Sequence, residues 1–228
     1  MSKAKFEAVE PRAINSLLRE AVLQGQKWDF RGGTGRFTRT ETLPALAKRA
    51  RVTSSRHSLR IQVIDPDNEE ACKKYASYRT GLNSANKARH FWTPREVRKQ
   101  ILATILEASL TGVREPMLDV TVCISAYWSV LRVDLSAKYV IVTREDPQAP
   151  GIRADEGTTF YEAYTSDLNV SASQSRTLQK LPPEFEEPLD VDEIRKVFGQ
   201  LEVRHEDLDD SFLNEIAQLT HHSSHQYD

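Results

Sequence analysis

The chain has little cysteine, little glycine and no long hydrophobic run. Its 228 residues include two cysteines, Cys72 and Cys123, too few for a disulfide framework or a thiolate zinc site. Neither is placed beside a histidine by any motif, so both read as core thiols. The longest apolar stretches, such as Val120 to Ile124, are strand-sized and far short of a membrane span. Met1 to Phe6 has no apolar run, so no secretory signal is expected and the cytoplasm is the expected compartment. Three of the six histidines fall in the last eight residues, where a frayed polar end is the ordinary state, and no metal site is expected. No cofactor is implied.

Of only nine glycines, three fall within four residues, at Gly32, Gly33 and Gly35. They lie in Trp28-Asp29-Phe30-Arg31-Gly32-Gly33-Thr34-Gly35-Arg36, between an apolar strand and a helix, with an arginine on each side. Glycine lets backbone approach a ligand and turn its N–H groups inward. The helix that follows adds unpaired N–H groups and a positive dipole end, and arginines add planar donors suited to phosphate or carboxylate. The stretch reads as an anion site, or else as a tight connection. It is not a P-loop, which ends in Gly-Lys-Ser/Thr, and it lacks the third glycine of the dinucleotide fingerprint.

A net charge of −2 hides an asymmetry. Pro182 to Asp228 holds 13 acidic and 3 basic residues, whereas residues 1–181 hold 20 acidic and 28 basic. A basic body suggests a phosphorylated or polyanionic partner; the acidic tail then screens the body, binds elsewhere, or is merely solvated.

Periodicity predicts helices over Ala13–Leu23, Thr40–Ala50, Glu69–Tyr78 and Thr93–Leu110, the last capped by Thr93-Pro94-Arg95-Glu96 and stopped at Gly112. Strands are predicted over Lys27–Phe30, Leu59–Ile64, Met117–Ile124, Val130–Leu135, Tyr139–Val142 and Gly157–Tyr164, and a further helix over Ser171–Gln179. The links Tyr127-Trp128-Ser129 and Ser136-Ala137-Lys138 are hairpin-sized. The fold class is α/β: a mixed sheet flanked by helices, residues 1–181, followed by a proline-rich link and an acidic helical hairpin in residues 182–228. The hairpin, Val191–Leu201 and Leu208–Leu219, packs on the body or offers residues 190–220 to a protein partner.

Ligands of open α/β sheets sit at the C-terminal ends of the parallel strands. That rule brings Arg31, Gly32, Gly33, Thr34, Gly35 and Arg36 to one edge, with Asp65, Asp67 and Asn68 from the second strand and Ser125, Tyr127 and Ser129 from the third. An antiparallel fourth strand adds Arg132 and Asp134. One pocket is therefore expected to hold Arg31, Arg36, Asp65, Ser125, Arg132 and Asp134, with Asp134 the candidate base if there is catalysis. Asp65-Pro66-Asp67-Asn68 also reads as a turn and helix cap, and Arg132 and Asp134 also read as a pair on a strand face.

The alternation resembles one half of the phospholipase D-like fold over about residues 13–180. Leu59 to Pro66 is similar to that family's strand ending in an acidic turn. Val130-Leu131-Arg132-Val133-Asp134-Leu135 with Tyr139-Val140-Ile141-Val142-Thr143 is similar to its catalytic hairpin. The family's signature is His-x-Lys; here Arg132-Val133-Asp134 stands at that place, and no histidine in the chain is followed two places later by lysine. The resemblance implies a degenerate member that keeps an anion pocket and lacks the nucleophile, a sensor of nucleotide-like ligands. Phe30-Arg31-Gly32 is also similar to a motif of ADP-ribosyltransferase-like domains, which would ask Ser125 and Glu162 to complete an NAD site. The third reading is nucleic-acid binding, for which the basic and aromatic run Lys87-Ala88-Arg89-His90-Phe91-Trp92 is the best feature.

Overall fold

A computed structural model describes residues 6–85, 91–185 and 189–224. Lys87 to His90, Pro188 and His225 lie outside the described residues, as do the side chains of His221 and His222.

The chain forms an α/β fold whose elements follow the order β1 Glu7–Val9, α1 Pro11–Gln24, β2 Lys27–Arg31, a π turn Thr38–Thr42, α2 Leu43–Thr53, β3 His57–Ile64, α3 Glu69–Ala85 and α4 Pro94–Arg114. They continue with β4 Leu118–Ser125, β5 Leu131–Ser136, β6 Tyr139–Arg144, β7 Gly151–Asp155, α5 Thr159–Ser173, β8 Arg176–Thr177, α6 Val191–Gln200 and α7 Asp210–Ser224. The mixed sheet runs β1-β7-β6-β5-β2-β3-β4-β8, with β2, β3 and β4 parallel and the other neighbours antiparallel.

Strand alternation decides the two faces. Trp28 and Phe30 of β2, with Leu59, Ile61 and Val63 of β3 and Val120, Val122 and Ile124 of β4, share one core with α1 to α4. The opposite face is apolar only over β5 to β7, where Val133, Leu135, Val140, Val142 and Ala154 meet Tyr161 and Leu168 of α5. Over β2 and β3 it is polar: Asp29 pairs with Lys27 and Arg60, each at 3.1 Å. Sheet faces need cover only where they are apolar, so a single helix suffices on that side.

Several local expectations change. β5 does not form a hairpin with β4; the chain passes from β4 over the ends of β3 and β2, and β5 pairs with β2 and β6. The segment Gly157–Tyr164 is a turn and helix start: Gly157 takes φ +77°, and Thr158 caps α5 by accepting from the Tyr161 N–H. The strand lies earlier, at Gly151–Asp155, and Ser171–Gln179 holds the end of α5 and then β8. Gly112 does not stop α4, which ends two residues later; a Cβ there would stand 3.3 Å from that of Val120, so the small residue lets the last turn approach β4.

The sequence leaves the docking of the acidic tail open, and the structure docks it. Ile194, Val197 and Phe198 of α6 and Phe212, Leu213 and Ile216 of α7 join the core of the helical side. Charges follow: Arg98 holds Asp207 at 2.6 Å, Lys99 holds Glu215 at 2.8 Å, and Arg204 N–H donates to Asp67 at 3.1 Å. Part of the body's basic surplus is thus met by the tail. A capping box at Asp190 and Glu193 starts α6. No described helix is long and apolar enough to cross a membrane.

Because Phe212 is fully enclosed, Phe212→Ala should destabilise the whole protein by about 3–5 kcal/mol. Urea unfolding followed by circular dichroism and tryptophan fluorescence should shift as one coincident transition. A separate early transition would show that the tail melts alone.

Candidate functional site

The glycine loop leaves β2 at the C-terminal edge and is clamped from the helical side. Gly32 N–H donates to Gln62 O at 3.1 Å, and Ile64 N–H donates to Gly33 O at 3.1 Å, so the loop extends the β2–β3 ladder. Thr104 of α4 then donates its hydroxyl to Thr34 O at 2.8 Å. Gly33 lies under the Tyr75 ring, where a Cβ would come within 2.2 Å. Gly35 takes φ +70°, and a Cβ there would stand 2.8 Å from Thr104 Cγ2. Both positions need glycine.

A helical turn opens at Arg36, and its first bond runs from Arg39 N–H to Gly35 O at 2.8 Å. The N–H groups of Arg36, Phe37 and Thr38 precede that bond and belong to the intrinsically unpaired first turn. Arg39 turns inward and donates to Gln100 O and Gln100 Oε1 at 3.0 and 2.8 Å. Burial, followed by the charge of Arg36, pushes its guanidinium down to about 10, still cationic at neutral pH.

The expected single pocket is two clefts, one on each face of the sheet, with the loop between them. Alternation sends Phe30, Arg132 and Asp134 to the helical face and Arg31 to the other. The cleft on the helical face, about 260 Å³, takes in Thr34, Gly35, Arg36, Phe37, Arg132 and, from outside the sequence expectation, Arg79, Trp92 and Glu145. The cleft on the α5 face, about 310 Å³, takes in Arg31, Gly32 and Ser125 with Gln62, Trp128 and Asp167. Gly33 lines neither cleft. Asp65 also joins neither: its Oδ1 accepts from the Asp67 N–H at 2.9 Å and its own N–H donates to Ser125 O, a turn that starts α3.

The helical-face cleft is walled by guanidinium–aromatic stacks. Arg132 stands 4.6 Å from the Phe37 ring centre and 5.4 Å from that of Phe30, and Arg79 stands 4.7 Å from that of Trp92. Arg79 holds Glu145 at 2.5 Å. Arg132 grips both Asp134 oxygens, at 2.6 and 3.0 Å. Burial pushes the Asp134 carboxyl up and the Arg132 charge opposes that. With no exposed side-chain surface and both oxygens occupied, Asp134 is not placed to take a proton from a ligand. Arg36 is exposed and makes no ion pair among the described residues, so it remains the uncompensated cation at the mouth.

Arg31 on the other face pairs with Asp167 at 2.7 Å. Glu162, asked for by the NAD reading, sits in the first turn of α5 and lines neither cleft. Glu145 was legible in principle: β6 runs in the same direction as β2, so the residue after it reaches the same edge. Trp92 belongs to the basic and aromatic run of the sequence, read there for nucleic acid rather than for this cleft; Arg79 carries no signal, since only the packing of α3 brings it there. Among the described residues no cluster of histidine, cysteine or carboxylates could hold a metal. Burial pushes the Cys72 thiol up to about 11, which keeps it protonated at neutral pH.

No protein-family model matches this chain, and no curated protein matches it.

Removing one partner of an enclosed ion pair strands the other charge. Asp134→Asn should therefore cost about 3–5 kcal/mol of stability, whereas the double variant Arg132→Met with Asp134→Leu should recover most of that loss. Urea melts of both variants and of the parent provide the comparison. Equal loss in the single and double variants would contradict the pairing.

Proposed function

We propose that the helical-face cleft binds a phosphate-bearing small molecule, nucleotide-like in class, and that the protein acts as a ligand-binding or sensor domain. The observation that carries this is the conjunction at the loop. Among the described residues Arg36 makes no ion pair, and it stands in the first turn of a helix, where N–H groups are intrinsically unpaired. Oriented N–H groups and an unpaired guanidinium together suit a phosphate. The half-buried ring of Phe37 in the same cleft suits stacking against a base.

In this reading the chain is a phospholipase D-like domain that has lost its nucleophile. A mixed sheet between helices and the hairpin of β5 and β6 support it, with Arg132 and Asp134 where the family has His-x-Lys. The locked state of Asp134 favours holding the anion over cleaving it. We assign the protein to the cytoplasm and take the docked tail, rather than a free one, as the route by which ligand state would reach a protein partner. Nucleic-acid binding has less support, because Arg95, Arg98 and Lys99 of α4 already face Asp209, Asp207 and Glu215.

Isothermal titration with inorganic phosphate, AMP, cyclic AMP, ATP and NAD tests the proposal. At least one probe should bind, and Arg36→Ala should weaken it about 10–100-fold, the effect of one lost charge-assisted contact. No heat with any probe, or binding unchanged in Arg36→Ala, would overturn it.

A further inference from the structure

Two carboxylates stand near the phosphate cleft on the helical face, and only one of them is open to a ligand. Asp134 has no exposed side-chain surface, and Arg132 takes both its oxygens. Glu145, just after β6, lines the cleft and keeps 17% of its side chain exposed. Its Oε2 accepts from Arg79 Nη1 at 2.5 Å. The same Nη1 donates to the Tyr75 hydroxyl at 3.3 Å, which places that hydroxyl beside the pair. A carboxylate offers about four acceptor positions. Arg79 fills one and the Tyr75 hydroxyl can fill one more, so Glu145 keeps acceptor capacity at an accessible position in the cleft.

Charge and size narrow the ligand further. Arg36, Arg79 and Arg132 line the cleft with Glu145, and Asp134 pairs with Arg132. Three cations against two carboxylates leave one net positive charge, which suits a single phosphate. The further charges of a diphosphate or triphosphate find no free cation there and meet Glu145 as a like charge, which is a means of rejecting a competitor. At about 260 Å³ the cleft also lies below the span of about 300–1,000 Å³ usual for drug-sized ligands. A hydroxyl donor, by contrast, gains a charge-assisted bond from the same carboxylate. Resting on the phosphate reading of this cleft, we infer that Glu145 is its specificity-determining residue: it accepts from a sugar hydroxyl and turns polyphosphates away. The ligand is then a phosphate monoester with free sugar hydroxyls, either a sugar phosphate or a ribonucleoside monophosphate.

Isothermal titration on the full chain with ribose 5-phosphate, AMP, methyl phosphate, pyrophosphate and ATP tests the inference. Ribose 5-phosphate or AMP should bind about tenfold or more tighter than methyl phosphate, and tighter than pyrophosphate or ATP. Glu145→Gln keeps the shape and removes the charge. It should shift the ratio of monoester to pyrophosphate affinity about tenfold toward pyrophosphate, whereas Arg36→Ala should weaken both ligands. AMP bound tighter than ribose 5-phosphate supports the inference with a mononucleotide as ligand, and the reverse order supports it with a sugar phosphate. Pyrophosphate or ATP bound tightest by the parent protein overturns the inference, as does a ratio unmoved in folded Glu145→Gln; in either case the phosphate reading survives if Arg36→Ala weakens binding. No binding of any probe overturns both. Thermal melts identify variants that remain folded, and the ranking in the parent protein decides if Glu145→Gln does not fold.

Discussion

The close approach of the glycine loop to the helical layer is the constraint on which the rest of the site depends. Gly33 passes under Tyr75 and Gly35 passes against Thr104 at distances no side chain allows. Thr104 fixes the loop further through the Thr34 carbonyl, and Arg39 ties the helix that follows to Gln100. With the backbone held there, the N–H groups of the next turn have a fixed direction, and Arg36 is carried to the mouth of a cleft. The loop also works as a partition: the strand alternation that precedes it sends Arg31 to one face and the Arg132–Asp134 pair to the other.

Charge is distributed by the same economy. Most cations near the loop are answered by a carboxylate: Arg132 by Asp134, Arg79 by Glu145, Arg31 by Asp167. Pairs of this kind contribute little net stability, and the enclosed one, Arg132 with Asp134, is costly to break. Their effect here is to leave Arg36 as the cation available to a ligand on the helical face, and to leave the other cleft electrically balanced and rich in hydroxyls. At a larger scale the acidic tail answers the basic side of α4 while its apolar faces complete the core, so the charge split along the chain is in part an internal contact.

The order of helices and strands from α1 to β6 is legible in the sequence because those elements carry clear periodicity or firm caps, such as Thr93 before α4 and Asp65 to Asn68 before α3. β1 and β8 are not legible, because three and two residues carry no period. The segment after Gly157 has the β-propensity of a strand, but the cap at Thr158 starts a helix there. The sheet-edge rule brings these residues to one end of the sheet but does not say which face each takes once β5 pairs with β2 instead of β4. That single change of neighbour divides the expected pocket. Arg79, Trp92 and Gln62 enter through tertiary packing or strand register, which sequence spacing does not contain.

The loop and the turn after it are proposed as an anion site. Crystals soaked in tungstate, with the anion located by its anomalous signal, test that most directly. A peak is expected within hydrogen-bond distance of the Arg36 guanidinium and of the backbone N–H groups of Arg36 and Phe37. A peak found only elsewhere on the molecule, with the loop vacant at saturating tungstate and Arg36 free of lattice contacts, would contradict it.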